Sequence, residues 1–239
     1  MLIKKFEIDK NEYGLPSSQT RFFACLVNVD ASHSIASIIR EINDNSWIEK
    51  LNIIEKTSYE ARLKETVKTI MDDCLTFDAT IKQDIYDYST VGEYIVSKEG
   101  RSALIQEYNH TAIPLAELWK EKASKNPGFD YHSESVSNLI IFGEAKYNSN
   151  YNPYSDAIIQ VEGFITKQKD HMELTDLQNF VSKDAVNNFL QSKKGFSIAF
   201  SVKGEDPLTI VTNAIKSTKI NKIANYNEFY IIGVVINDK

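Results

Sequence analysis

GFDYHSESVSNLIIFGEAKY, residues 128–147, is the stretch on which the reading of this chain turns. Residues 129–135 alternate as a strand does, 136–138 supply turn residues, and 139–147 form an isoleucine-rich apolar run that breaks into Gly143-Glu144-Ala145-Lys146. The pattern predicts a β-hairpin. Side chains two apart in a strand point to the same face. Glu144 and Lys146 are therefore neighbours at the end of a strand that otherwise reads as buried, and the hairpin brings them beside Asp130.

Outward from the hairpin, helical and strand patterns alternate. Ahead of it, aromatic and β-branched residues predict a strand over 21–29, and helices are expected over 34–42 and 58–74, the latter with Ser58 as its cap. A helical region follows over 89–108, with Gly100 as a candidate interruption, then a shorter amphipathic segment from Pro114 (PLAELWKEKAS) and a turn at Asn126-Pro127-Gly128. Beyond the hairpin come a polar, aromatic loop over 147–154, helices over 155–169 and 174–190, a strand over 195–202, a helix over 207–218 and a last strand over 228–237. The order from residue 89 onward predicts an α/β (α+β) fold, a central mixed sheet flanked by helices. Residues 89–239 are expected as its core and 1–88 as an N-terminal α+β region. The strand at 21–29 either joins that sheet or sits in an N-terminal lobe.

Composition narrows the function classes. A hydrophobic content of 42% suffices for a real core, and no apolar run reaches the roughly 18 residues of a membrane span. The first residues, MLIKKFEIDKNEYG, lack the apolar stretch of a secretion signal. Cys25 and Cys74 have no metal-ligand spacing and read as free, packed thiols, so a cytoplasmic protein is expected. The formal net charge of −6 argues against a protein that coats nucleic acid by itself, though not against an enzyme whose phosphate contacts come from a local basic face or a partner. The charge is unevenly spread: Asp72, Asp73, Asp78, Asp84 and Asp87 cluster in the first 100 residues, and Lys193, Lys194, Lys203, Lys216, Lys219 and Lys222 mark the last 60. No HExxH, phosphate-cradling glycine loop, dinucleotide fingerprint or Gly-x-Ser-x-Gly elbow is present.

Two carboxylates that converge repel each other, and a divalent cation between them removes the repulsion. Oxygen ligands of this kind suit Mg²⁺ (or Mn²⁺), which keeps several waters and shares the rest of its shell with phosphate. A lysine beside the metal can position or help deprotonate an attacking water and offset developing negative charge. An aspartate, thirteen intervening residues, then Glu-x-Lys thus has a chemical reason in Asp130, Glu144 and Lys146. The competing reading is a structural ion pair at a sheet edge, worth little if exposed. His132 either supports Asp130 or the substrate, or is a hydrogen-bonded strand residue. His110 and His171 are expected at the surface, Trp47 and Trp119 in packing roles, and Ile158, Val161 and Ile165 against the sheet.

This layout resembles the PD-(D/E)xK nuclease superfamily, with its restriction-endonuclease-like core, over about residues 89–237. The matching positions are Asp130 and Glu144-Ala145-Lys146, and Pro127 stands three residues before the aspartate rather than directly ahead of it. The resemblance implies metal-dependent hydrolysis of DNA phosphodiester bonds leaving a 5′-phosphate. It also implies a helical glutamate at the metal site, for which Glu93 ranks first, Glu117 second and Glu107 third, and a polar accessory residue on the following helix, Gln160. Asp130, Glu144 and Glu93 would be the metal ligands. Asp130-x-His132 and Gly143-Glu144-Ala145-Lys146-Tyr147, with the acidic N-terminal region, also resemble the nuclease subunit of the Hachiman anti-phage defence system. That similarity implies a helicase or other defence-system partner, with residues 1–88 docking the partner or forming a homo-oligomer. A catalytically inactive nuclease-fold subunit, acting as a DNA-binding or assembly module, is the alternative.

Overall fold

The computed structural model describes residues 1–81, 91–120 and 128–237, apart from the side chains of residue 65 and of residues 73–81. In chain order the elements are β1 (Leu2–Phe6), α1 (Lys10–Tyr13), β2 (Arg21–Asp30), α2 (Ala31–Ile42), α3 (Ile53–Ile81), α4 (Val91–Tyr108) and β3 (Thr111–Ala112). Then follow α5 (Ala116–Trp119), β4 (Tyr131–Glu134), β5 (Ile140–Lys146), α6 (Tyr154–Thr166), α7 (Lys169–Leu177), α8 (Lys183–Leu190), β6 (Gly195–Ser201), α9 (Pro207–Ile215) and β7 (Glu228–Asn237). Asn126 and Pro127 of the expected turn, Asp84 and Asp87, Ser89, and the side chains of Asp73, Asp78 and Cys74 lie outside the described residues.

The strands form one seven-stranded mixed sheet in the order β1-β2-β7-β6-β5-β4-β3. β2, β7, β6 and β5 are parallel, while β1 and the β4–β3 pair run antiparallel to their neighbours. Of the two placements open to the strand at 21–29, the sheet takes the first: β2 pairs with β7 along its whole length, from Arg21↔Glu228 to Asp30↔Asn237. Parallel strands covered on both faces need near-continuous apolar runs, and β6 and most of β7 are buried residue after residue. Helix α4 packs on β4 through β7, α6 on β5 and β6, and α9 on β7 and β2. No helix among the described residues is long and apolar enough to cross a membrane.

The hairpin holds the expected turn. Asn138 takes the left-handed conformation at φ 53°, which asparagine tolerates, and its N–H donates to the Ser135 carbonyl. The register pairs Tyr131 with Gly143, so Gly143 and Ala145 share one face of β5 while Phe142 and Glu144 share the other. On the Phe142 face, Phe142, Phe129 and Phe196 pack ring on ring, and Phe129 meets Phe164 of α6. Ile158 and Val161 of α6 are fully buried and Ile165 partly so.

Several boundaries differ from the sequence reading for identifiable reasons. Helix α3 starts at Ile53, capped by Asn52, whose side-chain oxygen accepts the N–H groups of Ile54 and Glu55; Ser58 lies inside the first turns instead of capping. The helix expected over 174–190 is two helices, because Ser182 caps α8 and its N–H and hydroxyl both donate to the Glu134 carboxylate. The segment from Pro114 is helical only over the four residues of α5 before the described chain stops at 120. His110 is buried, not at the surface: Nδ1 lies 2.9 Å from Ser133 Oγ and Nε2 3.0 Å from the Tyr230 hydroxyl. His171 is exposed as expected, Cys25 is a buried free thiol, and Trp119 is wholly buried against His132 and Phe180.

Gly100 does not interrupt α4 but lets it approach the sheet. A Cβ there would stand 2.5 Å from the Ala199 Cβ and 3.2 Å from the Tyr131 ring. Tyr131 is fully buried and hydrogen-bonded to Ser197, so it has nowhere to retreat. Helix propensity alone would make Gly100→Ala stabilising by about 1 kcal/mol. The contact reverses the sign: Gly100→Ala is expected to destabilise by roughly 1–3 kcal/mol, measured as a lower urea midpoint at unchanged slope.

Candidate active site

The candidate site is built at the C-terminal end of β5, where the parallel ladder opens. Asp130 precedes β4 by one residue. Its N–H donates to the Gly143 carbonyl at 2.8 Å, and its Oδ2 accepts the Ala145 N–H at 2.7 Å. The side chain thus continues the ladder where the backbone of β4 ends. This bond ties the carboxylate to the backbone of Ala145, the residue between Glu144 and Lys146 on the neighbouring strand.

Glu144 has no exposed surface, and both of its carboxylate oxygens are buried without a hydrogen-bond partner. The Lys146 ammonium lies 3.0 Å from Glu144 Oε1, touching it as a charge off the hydrogen-bond direction. Lys146 also reaches Glu93 Oε1 on α4 at 3.3 Å. Glu93 is half-exposed, so Lys146 stands between a buried carboxylate and one at the surface.

The electrostatics follow from this crowding. Burial pushes the Asp130 carboxyl up to about 7; the Ala145 N–H and Lys146 oppose that, and the charges of Glu117 and Glu93 add to it. Burial, then the Asp130 charge, holds Glu144 well above the ordinary carboxylate range, and Lys146 only partly compensates. For Lys146 burial works against the charged form, but Glu144, Glu93 and Asp130 outweigh it and hold the ammonium above its ordinary value. Both acids are thereby biased toward their protonated forms, with one ammonium shared between Glu144 and Glu93.

The structure therefore brings together Asp130, Glu144, Lys146 and Glu93 in direct contact or through the Asp130 bond, and Glu117 on α5 acts on Asp130 through its charge. Glu107 lies three to four turns along α4 from Glu93 and pairs with Lys5 of β1. Gln160 is half-buried on α6 and, among the described residues, makes no hydrogen bond to Asp130, Glu144 or Lys146. His132 does not touch the Asp130 carboxylate. It is a buried strand residue whose Nε2 lies 2.7 Å from Glu173 Oε2, and burial lowers its pKa to about 4.

Glu173 is the residue that sequence reasoning missed. It lies on α7, whose sequence, KDHMELTDL, is mostly polar and gives no signal for a buried carboxylate. Its Oε1 accepts the Phe129 N–H at 3.0 Å and pairs with Lys120 at 2.6 Å.

A small hard cation fits the Asp130–Glu144 pair. Orphaned, desolvated carboxylate oxygens are the donors such an ion satisfies, and Mg²⁺ characteristically uses one or two carboxylates with waters. Among the described residues no group of three or more His, Cys, Asp or Glu side chains is drawn together as a metal cluster. No family model matches the chain, and no curated protein or solved structure matches it.

The raised Asp130 pKa gives a stability prediction. A carboxyl held at about 7 when folded, against its ordinary 3.8, favours folding below the lower value and loses that contribution as pH rises through 7. At pH 8, without divalent metal, Asp130→Asn removes the penalty and keeps an oxygen for the Ala145 N–H. Its Tm is expected to exceed that of the wild type by several degrees at pH 8 and to match it near pH 4, measured by calorimetry in chelator.

Proposed function

We propose that this chain is a divalent-metal-dependent nuclease that hydrolyses DNA phosphodiester bonds. The observation that carries the reading is Glu144, a fully buried carboxylate that touches the Lys146 ammonium at 3.0 Å, has no hydrogen bond at either oxygen and feels the Asp130 charge, at the open end of a parallel strand. A buried carboxylate without hydrogen bonds is costly to keep ionised, and acids perturbed in this way concentrate where a ligand or a reaction uses them.

Asp130 and Glu144 are the residues that would hold Mg²⁺ or Mn²⁺, with Glu93 or Glu117 adding negative charge at its rim. When bound, the cation supplies Lewis-acid activation of the scissile phosphate and of water. Asp130 stays oriented by the Ala145 N–H, which leaves its other oxygen free to ligate. Lys146, held by Glu144 and Glu93, donates to the attacking water and to a phosphate oxygen as negative charge develops there. Gln160 on α6 is an accessory contact to substrate. The resemblance to PD-(D/E)xK nucleases and to the Hachiman nuclease subunit supports DNA as the substrate and a place in anti-phage defence. The net charge of −6 supports delivery to DNA by a partner such as a helicase.

A second reading is a nuclease-fold subunit that binds DNA or assembles a complex without cutting. What favours it is the complete burial of Glu144, which a cation reaches only if the strand end opens.

The test is cleavage of supercoiled, linear and single-stranded DNA with Mg²⁺ or Mn²⁺, with and without a candidate helicase. Glu144→Ala and Lys146→Ala are each expected to lose about 100-fold or more of the wild-type rate, with far-ultraviolet dichroism unchanged. Equal cleavage by all three proteins would place the activity elsewhere. DNA binding without cleavage in every condition would select the second reading.

A further inference from the structure

The peptide unit immediately before Asp130 is gripped from outside the hairpin. Glu173 Oε1 accepts the Phe129 N–H at 3.0 Å, and the Lys120 ammonium donates to the Phe129 carbonyl while pairing with Glu173 Oε1 at 2.6 Å. The other oxygen of Glu173 lies 2.7 Å from His132 Nε2. One buried carboxylate thus holds the backbone one residue before Asp130 and the side chain two residues after it. Burial alone would raise the Glu173 carboxyl, but Lys120 and His132 outweigh it and hold it below the ordinary range. An ionised carboxylate can only accept, so the His132 proton sits on Nε2. Nδ1 is then a bare, buried lone pair without a partner.

A buried ion pair is a poor device for stability alone, since well-packed apolar residues of the same volume usually serve as well or better. What it supplies is fixed geometry at atoms of defined direction. The Phe129 ring is already locked by Phe142, Phe164 and Phe196, so packing does not need the charges. Gly128 completes the arrangement: a Cβ there would stand 2.2 Å from Glu173 Oε1 and 2.9 Å from the Lys120 ammonium. The chain keeps its least bulky residue where the bracket passes.

Taking Asp130 and Glu144 as the cation-holding pair proposed above, we infer that Glu173 and Lys120 are positioning residues that set the Asp130 carboxylate for the metal through the Phe129 peptide. They touch neither substrate nor metal. Removing the bracket leaves Asp130 held by Gly143, Ala145 and the Ser97 hydroxyl, with the peptide ahead of it no longer gripped, so its carboxylate loses part of its set direction.

The experiment is Mn²⁺ binding to the full chain, followed by loss of the free-ion paramagnetic resonance signal at 25 °C, on variants whose far-ultraviolet dichroism matches the wild type. Glu173→Ala and Lys120→Met are expected to weaken Mn²⁺ affinity about 10–100-fold, the usual effect of removing a group that orients a metal ligand. Glu173→Gln, which can still accept the Phe129 N–H, is expected to recover most of the loss. Val211→Ala, in the fully buried core of α9, is the stability control, expected to lower Tm and leave affinity unchanged. Wild-type affinity in both Glu173→Ala and Lys120→Met would overturn the positioning role while leaving the metal site standing. An equal loss in Val211→Ala would do the same, by reducing the effect to stability. If Glu173→Ala does not fold, Lys120→Met decides by the same measure. A wild type that binds no Mn²⁺, with Glu144→Ala indistinguishable from it, would overturn the metal site and the bracket together.

Discussion

The structure depends on one hydrogen bond, from the Ala145 N–H to Asp130 Oδ2. A side chain there takes the place of a backbone acceptor at the end of a ladder. Because the ladder register pairs Tyr131 with Gly143, this bond sets the Asp130 carboxylate on the strand that carries Glu144 and Lys146. A slip of one residue would move every side chain of β5 to the other face. Phe142 and Glu144 would then change places with Gly143 and Ala145, against α4. Gly143 has no room for that exchange, since a Cβ at its position would sit 2.2 Å from the Tyr131 ring. Packing on the α4 side and chemistry at the strand end therefore enforce the same register.

The second constraint is electrostatic. Asp130 and Glu144 are both desolvated; the Asp130 charge raises the cost of ionising Glu144, Glu93 adds to the cost for both, and Glu117 adds to that for Asp130. A single ammonium, Lys146, is divided between Glu144 and Glu93. Other buried carboxylates in this protein are treated differently. Glu134 accepts two bonds from Ser182, Asp170 pairs with Lys194, Glu228 pairs with Arg21 and accepts from Tyr230, and Glu173 is bonded through both oxygens. Against that background, Glu144, which touches Lys146 but has no hydrogen bond at either oxygen, marks a place where the fold gives up stability.

The hairpin and its acidic end were legible because their signals are local. Alternation over residues 129–135, turn residues at 136–138 and an apolar run into Glu144 need only neighbours in sequence to be read. The same holds for the central strands β6 and β7, whose continuous apolar runs belong to strands covered on both faces. Boundaries set by partners distant in the chain were not legible. Helix α8 starts at Ser182, whose N–H is bound by Glu134, forty-eight residues away. His110 reads as a surface residue until Ser133 and Tyr230 close around it. Gly100 looks like a helix breaker until Ala199 is seen against it.

The sequence by itself determined the secondary-structure order from residue 89 onward, the mixed sheet flanked by helices, and the placing of Glu144 and Lys146 on one face of a strand beside Asp130. Period-two geometry and turn chemistry suffice for those, since both act over a few residues. Only the tertiary structure decided which helical glutamate meets Lys146, that β2 completes the sheet beside β7, and that Glu173 and Lys120 hold the peptide ahead of Asp130. Glu93, Glu117 and Glu107 differ little as residues in helical segments. What separates them is where the turns of α4 and α5 end relative to β5. That is fixed by side chains packing across the sheet, a constraint no local stretch of the chain contains.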